Sequence, residues 1–109
     1  MDVFFIIFQI RFVKEDDISL SPNYHRDSCH LTLCINHAAE DDRLRYFVGL
    51  FRRFVERGFE PRVHWGKYFD PSGTLVADSL PDLHNFLHYR KQLDPNNIFV
   101  NNLLFQLLK

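Results

Sequence analysis

Two stretches in the first third of the chain alternate apolar and more polar residues with a period of two, which is the pattern of half-buried strands. The first, residues 3–13, places five large apolar side chains on one face, which we assign to the core: Phe4, Ile6, Phe8, Ile10 and Phe12. Its other face turns polar at Gln9 and Arg11, so it either reaches solvent there or lines a polar cavity. The second, residues 27–36, carries Thr32 on its more polar face. A loop joins the two stretches, which predicts an antiparallel pair.

Further along, the period changes to that of a helix. From Glu40 to Arg57 an apolar stripe lies opposite a row of arginines, with acidic residues in the first turn and Gly58 just beyond the last. Another apolar stripe predicts a helix near residues 80–92, which Ser79 can cap. We therefore expect an α+β fold in which an antiparallel sheet is backed by two helices.

Composition limits the class of protein. The 109 residues suit a single domain, and a hydrophobic content of 46% with twelve phenylalanines supports a folded core. Thirteen basic and fourteen acidic residues give a net charge of −1, without the basic footprint of a nucleic-acid binder. Cys29 and Cys34 fall on opposite faces of one predicted strand, so we expect free thiols and a reducing compartment. The apolar run at residues 3–8 is too short for a membrane span.

The six histidines and two cysteines raise the question of a metal site. The candidates are a helical pair, His84 and His88, and a strand cluster, Cys29, His30, Cys34 and His37. Neither has the paired short spacing that is typical of structural zinc, so we expect exposed histidines and no metal. A nucleophile elbow, a phosphate loop and a dinucleotide fingerprint are also missing from the sequence.

Periodicity does not explain residues 62–69, RVHWGKYF, which form neither an amphipathic helix nor an alternating strand. The segment holds the only tryptophan, Trp65, between His64 and Gly66. Lys67 is then either a surface lysine beside a tryptophan in the core or an enclosed ammonium. An enclosed ammonium requires an anion, a polar substrate or a flavin, because an unpaired charge is costly to bury.

Five motifs occur in the order found in one enzyme family: QIRF at 9–12, DDISLSP at 16–22, HRDSC at 25–29, RVHWGK at 62–67 and LDPNNIFVN at 93–101. Through them nearly the whole chain resembles the FAD-dependent sugar-1,4-lactone oxidases, which include L-gulonolactone oxidase and D-arabinono-1,4-lactone oxidase. The resemblance implies the C-terminal, substrate-side part of the cap domain of a VAO-type flavin oxidase. It also implies that the FAD-binding domain lies outside this chain.

The function implied by this resemblance is oxidation of an aldono-1,4-lactone by hydride transfer to FAD, with O₂ reoxidising the flavin and an ascorbate-type compound as product. The isolated chain should be inactive, because FAD is held mainly by the other domain. The resemblance also implies a membrane-associated protein of the endoplasmic reticulum or mitochondria, and otherwise a cytoplasmic one. The alternative from another class is a non-catalytic remnant or interaction module that keeps the fold.

The motifs also imply roles for individual residues. By position, Lys67, Arg11 and Gln9 are the implied catalytic residues. Thr32 and His64 are the implied substrate-binding residues. His64 and Lys67 are the residues that the resemblance places against the flavin. Gln9 stands where the family usually has Glu, and Asn97 replaces the usual turn Gly, which a positive φ tolerates. Without the flavin domain, Lys67 should be solvated.

Overall fold

The computed structural model describes residues 5–35 and 40–108 and shows an α+β fold, as predicted. Within these two ranges, a two-stranded antiparallel sheet is followed by three helices and one short 3₁₀ turn. The elements are β1 (Phe5–Val13), β2 (Ser28–Ile35), α1 (Glu40–Glu56), the 3₁₀ turn (Ala77–Ser79), α2 (Leu83–Leu93) and α3 (Asn102–Leu107).

The register of the sheet assigns its two faces. Arg11 pairs with His30 and Phe12 with Cys29, and the pairing is irregular between Phe5 and Ile7. Because directly opposed residues of an antiparallel pair share a face, alternation separates a polar from an apolar side. We call Gln9, Arg11, Ser28, His30 and Thr32 the polar sheet face, and Ile10, Phe12, Cys29 and Leu31 the apolar sheet face.

The loop that joins the strands, residues 14–27, is bonded internally. Asp16 N–H donates to the Asn23 carbonyl at 3.1 Å, and His25 N–H donates to the Asp16 carbonyl at 2.8 Å. The Asp16 carboxylate accepts from the Ile18 N–H at 3.0 Å and from the Ser21 hydroxyl, so one side chain organises the whole turn. We refer to residues 16–25 as the Asp16 loop.

Helix α1 begins at Glu40 as predicted, ends at Glu56, one residue earlier than predicted, and closes in a Schellman motif. Gly58 has φ 80°, its N–H donates to Val55 O, and Phe59 N–H donates to Phe54 O. The rings of Phe54 and Phe59 meet edge to face at 5.8 Å, which supplies the apolar contact that accompanies this motif. The helix contributes Phe51 to the core.

The core lies between α1, the segment around residues 61–76 and α3, and not beneath the sheet. Its buried members are Phe51, Val63, Phe69, Val76 and Leu107, and Trp65 packs against them. The prediction that the helices back the sheet was therefore wrong for the described residues. Ile10 is 52% exposed and Phe12 85%, so neither belongs to a core in this chain. The predicted core role of Phe4, Ile6 and Phe8 concerns side chains outside the described part.

Ser79 does not have the capping role that the sequence predicted for it. Its hydroxyl donates to Val76 O at 2.6 Å within the 3₁₀ turn, and α2 begins only at Leu83, so Ser79 does not cap that helix. Beyond α2, buried Asp94 accepts from the backbone N–H groups of Ile98 and Phe99 at 2.7 and 3.0 Å. Asn97 has the expected positive φ, 56°.

Candidate functional site

The polar sheet face brings together three of the residues that the sequence nominates. Gln9 is paired with Thr32, and Arg11 lies two residues along the same strand. Arg11 Nη2 donates to Gln9 Oε1 at 3.4 Å, and both side chains are exposed. Because Gln9 is neutral, this contact leaves the positive charge of Arg11 uncompensated. The guanidinium therefore keeps donors and charge available for a polar ligand.

His30 is a member of this face that the sequence prediction missed as a site residue. It lies directly opposite Arg11, and its ring meets the ring of His64 edge to face at 6.3 Å. Its Nε2 atom lies 2.8 Å from Asn23 Oδ1. Alternation along β2 already puts His30 and Thr32 on one face. The pairing of His30 with Arg11 is revealed only by the strand register.

The contact with His64 connects the sheet to the RVHWGKYF segment. Gly66 N–H donates to His64 Nδ1 at 3.0 Å, and Lys67 N–H donates to the His64 carbonyl at 3.0 Å. A Cβ atom on Gly66 would lie 3.2 Å from His64 Cε1, so a larger residue would push the ring away. Gly66 thus permits the tight turn that fixes the His64 imidazole.

Trp65, which follows His64 in the chain, anchors the turn. Its indole Nε1–H donates to the Leu20 carbonyl in the Asp16 loop at 2.7 Å. Its ring packs edge to face on buried Phe69 at 5.7 Å. The tryptophan therefore joins the core to the loop that precedes β2.

Arg62 makes a second connection to the same loop. Its Nη1 atom donates to the carbonyls of Pro22 and Tyr24 at 3.2 and 2.8 Å. Burial lowers the pKa of the guanidinium, and the charge of nearby Arg26 lowers it further, against the opposing effect of Glu60. Arg62 stays charged near neutral pH because its ordinary pKa is so high. Its two bonds hold the backbone on both sides of Asn23.

Lys67 is exposed, as expected for this chain by itself. It lies on the same turn as His64, and within residues 5–35 and 40–108 its ammonium forms no hydrogen bond or ion pair. The structure therefore brings Gln9, Arg11 and Thr32 to one face and joins His64 to that face through His30, while Lys67 extends from the turn into solvent.

These residues form one open wall and do not enclose a flavin. Gln9, Arg11, His64 and Lys67 are all exposed, whereas a tightly bound cofactor is mostly buried by its site. An open cavity of about 420 Å³ at the loop end of the hairpin is lined by Phe12, Val13, Lys14, Asp27, Ser28 and Cys29, and it includes none of the nominated residues. The described part of this chain does not by itself fit FAD.

The described residues contain no group of three or more histidine, cysteine, aspartate or glutamate side chains that could hold a metal ion. His37, one of the candidates from the sequence, lies outside the described residues. Cys29 and Cys34 are both free and exposed.

The described residues thus form an antiparallel hairpin whose polar, arginine-bearing face lies beside a histidine–lysine turn. The family model for D-arabinono-1,4-lactone oxidase matches residues 4–107. The chain belongs to this family.

The similar curated proteins carry related names. L-gulonolactone oxidase of Mus musculus is 31% identical over 96 residues, covering 88% of this chain and 22% of the relative. The Scyliorhinus torazame protein of the same name is 33% identical over 98 residues, with the same coverage. An alditol oxidase of Streptomyces is 31% identical over 102 residues, covering 92% of this chain and 23% of the relative. The chain thus spans less than a quarter of the length of these relatives.

Among the described residues, no helix is both long and apolar enough to cross a membrane.

Proposed function

We propose that this chain is the C-terminal, substrate-side region of an aldono-1,4-lactone oxidoreductase, and that its polar sheet face forms one wall of the lactone site. The observation that carries the proposal is the placement of Arg11, His30 and Thr32 on a single open face that the ring of His64 adjoins. Membership of the lactone oxidase family supports a polyhydroxylated lactone as the ligand.

The chemistry of each side chain suits such a ligand. The guanidinium of Arg11 offers several donors in a fixed plane, and the Thr32 hydroxyl can both donate and accept. Lys67 would be desolvated once the site is closed, and its positive charge would then stabilise negative charge that develops on a substrate oxygen. FAD, when bound by the complete protein, supplies the hydride acceptor.

In this proposal, the flavin domain lies in a part of the protein outside this chain. The curated relatives are more than four times as long as the matched segment. The apolar sheet face supports a packing partner outside this chain, because Ile10, Phe12 and Leu31 are 52%, 85% and 45% exposed. The hairpin would then belong to a larger sheet in a cap domain of the VAO type.

The electron acceptor, the product and the location are further proposals. Oxidase relatives favour O₂ and an ascorbate-type product, whereas a relative from Mycobacterium tuberculosis is named L-gulono-1,4-lactone dehydrogenase. Membrane association, at the endoplasmic reticulum or mitochondria, would come from another part of the protein.

A chimera tests the proposed function. Residues 4–107 would replace the matching segment of the mouse relative, and peroxide formation from L-gulono-1,4-lactone would be followed together with flavin absorbance. We expect turnover in the chimera and none from the 109-residue chain mixed with FAD. Arg11→Met should abolish turnover without loss of flavin, and Arg57→Met, at an exposed arginine after α1, serves as the matched control. A flavin-loaded Arg11→Met chimera with unchanged kcat/KM would contradict the assignment.

The second candidate, a non-catalytic remnant, is favoured by one observation. Gln9 provides an amide where the family usually has a carboxylate, so the contact with Arg11 carries no charge compensation. If the chimera binds flavin but is inactive, and Gln9→Glu restores turnover, the remnant is the better description.

A further inference from the structure

Asn23 is placed to determine which nitrogen of the His30 ring carries its proton. Asn23 Oδ1 lies 2.8 Å from His30 Nε2, and the imidazole is half-buried. An amide oxygen can only accept a hydrogen bond, so this contact is a hydrogen bond when Nε2 carries a proton. In the neutral ring this leaves Nδ1 with an unshared electron pair. Within the described ranges no residue hydrogen-bonds to Nδ1.

The backbone of Asn23 is held from several directions. Its N–H donates to Ser21 Oγ at 3.0 Å, and the Ser21 hydroxyl in turn donates to the Asp16 carboxylate. Its carbonyl accepts from the backbone N–H groups of Asp16 and Arg26, both at 3.1 Å. Little conformational freedom is therefore left to lose when the Asn23 side chain meets His30.

The residues before and after Asn23 are fixed by a group from outside the loop. Arg62 donates to the carbonyls of Pro22 and Tyr24, so the RVHWGKYF segment sets the position of the loop. The same segment brings the ring of His64 to His30. Loop, strand and turn thus orient one imidazole on the polar sheet face.

We propose that Asn23 is a positioning residue for the lactone site: it holds His30 in the Nε2–H form and presents Nδ1 as a hydrogen-bond acceptor for a hydroxyl of a polyhydroxylated ligand. The arrangement of Asn23 and His30 stands on this geometry alone, while its consequence for turnover rests on the proposed function. Asn23 would act through His30 and not by touching the substrate.

Nuclear magnetic resonance of the ¹⁵N-histidine-labelled 109-residue chain tests the arrangement without flavin or lactone. We expect a ring proton on His30 Nε2 that is protected from solvent exchange, and its loss in Asn23→Ala. Asn96→Ala, which removes an exposed amide in the turn after α2, should leave this proton unchanged. A His30 ring protonated on Nδ1 in the unaltered chain would overturn the proposal.

Asn23→Asp provides a second readout that a purely structural role would not move. A carboxylate accepts a stronger hydrogen bond from Nε2–H than an amide oxygen does, so this ring proton should exchange with solvent more slowly in the variant. The ring also faces Arg11 and His64, but both are the same in every variant, so the change isolates position 23. Unchanged exchange of the Nε2 proton in this variant would also overturn the proposal.

The effect on turnover is measured separately in the chimera. Asn23→Ala should lower kcat/KM for L-gulono-1,4-lactone about tenfold with flavin loading intact, because a misplaced polar group weakens transition-state contacts. An inactive parent chimera would count against the proposed function and would leave the magnetic resonance result standing. An active chimera that tolerates Asn23→Ala would refute the positioning role.

Discussion

The Trp65 indole donates a 2.7 Å hydrogen bond to the carbonyl of Leu20, 45 residues earlier in the chain. This bond joins the RVHWGKYF segment to the Asp16 loop, and Arg62 reinforces it through Pro22 and Tyr24. The two contacts explain why Trp and Arg occur in a segment that follows no helical or strand period. They hold together a sheet and a helical core that share no buried cluster among the described residues.

Replacing Trp65 with Phe tests the importance of this bond. The variant keeps an aromatic ring beside Phe69 but leaves the Leu20 carbonyl without its donor. We expect the free energy of unfolding to fall by about 1–3 kcal/mol, the cost of an unsatisfied, partly buried acceptor. Urea denaturation followed by circular dichroism measures it. Tyr89→Phe, at a residue that is 61% exposed, should change little. Equal stability of Trp65→Phe and the unaltered chain would show that the bond is unimportant.

Two phenylalanines provide a matched test of where the core lies. Phe51 is 6% exposed and Phe12 is 85% exposed. Phe51→Ala should lower the free energy of unfolding by about 3–5 kcal/mol because it leaves a cavity. Phe12→Ala should change it by no more than about 0.5 kcal/mol, since little of its surface is buried. Thermal or urea denaturation of both variants decides the matter, and a large loss in Phe12→Ala would place the apolar sheet face in the core after all.

Asp82, at the start of α2, gives a prediction about pH. Hydrogen bonding from Ser19, and then from Asn85, lowers the pKa of its carboxyl group. The pKa of this carboxyl group is therefore lower in the folded state than in the unfolded state. Its ionisation stabilises the fold at pH values above the ordinary carboxyl pKa of about 3.9. That contribution is lost as the pH falls through the folded pKa.

Carbon-detected titration of the Asp82 carboxyl group measures this effect. Ser19→Ala should raise the pKa of Asp82 towards its ordinary value. The free energies of unfolding of this variant and of the unaltered chain should become equal in acid. Ser72→Ala, which removes a hydroxyl that donates to Asp70, is the control and should leave Asp82 unchanged. An unaltered pKa of Asp82 in Ser19→Ala would contradict the assignment.

Local chemistry predicted much of this fold. The 3.6-residue period and the acidic first turn predicted α1. Gly58 and Asn97 both have a positive φ, as predicted, because each stands in a turn that requires a residue able to adopt this conformation. Ser79 was misassigned because a hydroxyl can also bond backward to a carbonyl, as it does to Val76. The six-residue helix α3 was not predicted, because so short a stretch shows little periodicity.

The candidate site was only partly visible in the sequence. Alternation placed Gln9, Arg11 and Thr32 on strand faces, but only the register shows that they share one. His30 acquires its place from that register and from Asn23, seven residues away in the preceding loop. Alternation likewise predicts the apolar face that includes Phe12. A period of two does not specify which surface packs against that face, so the absence of a covering helix among the described residues could not be predicted.

Cys29 and Cys34 lie on opposite faces of β2, and both thiols are exposed. The chain therefore carries one alkylation reporter on each side of the sheet. Slower modification of Cys29 alone would detect a protein surface seated on the apolar sheet face, whereas slower modification of Cys34 would detect closure over the polar one. Native thiol reactivity can thus follow the assembly of the two sides of the sheet separately, without any engineered label.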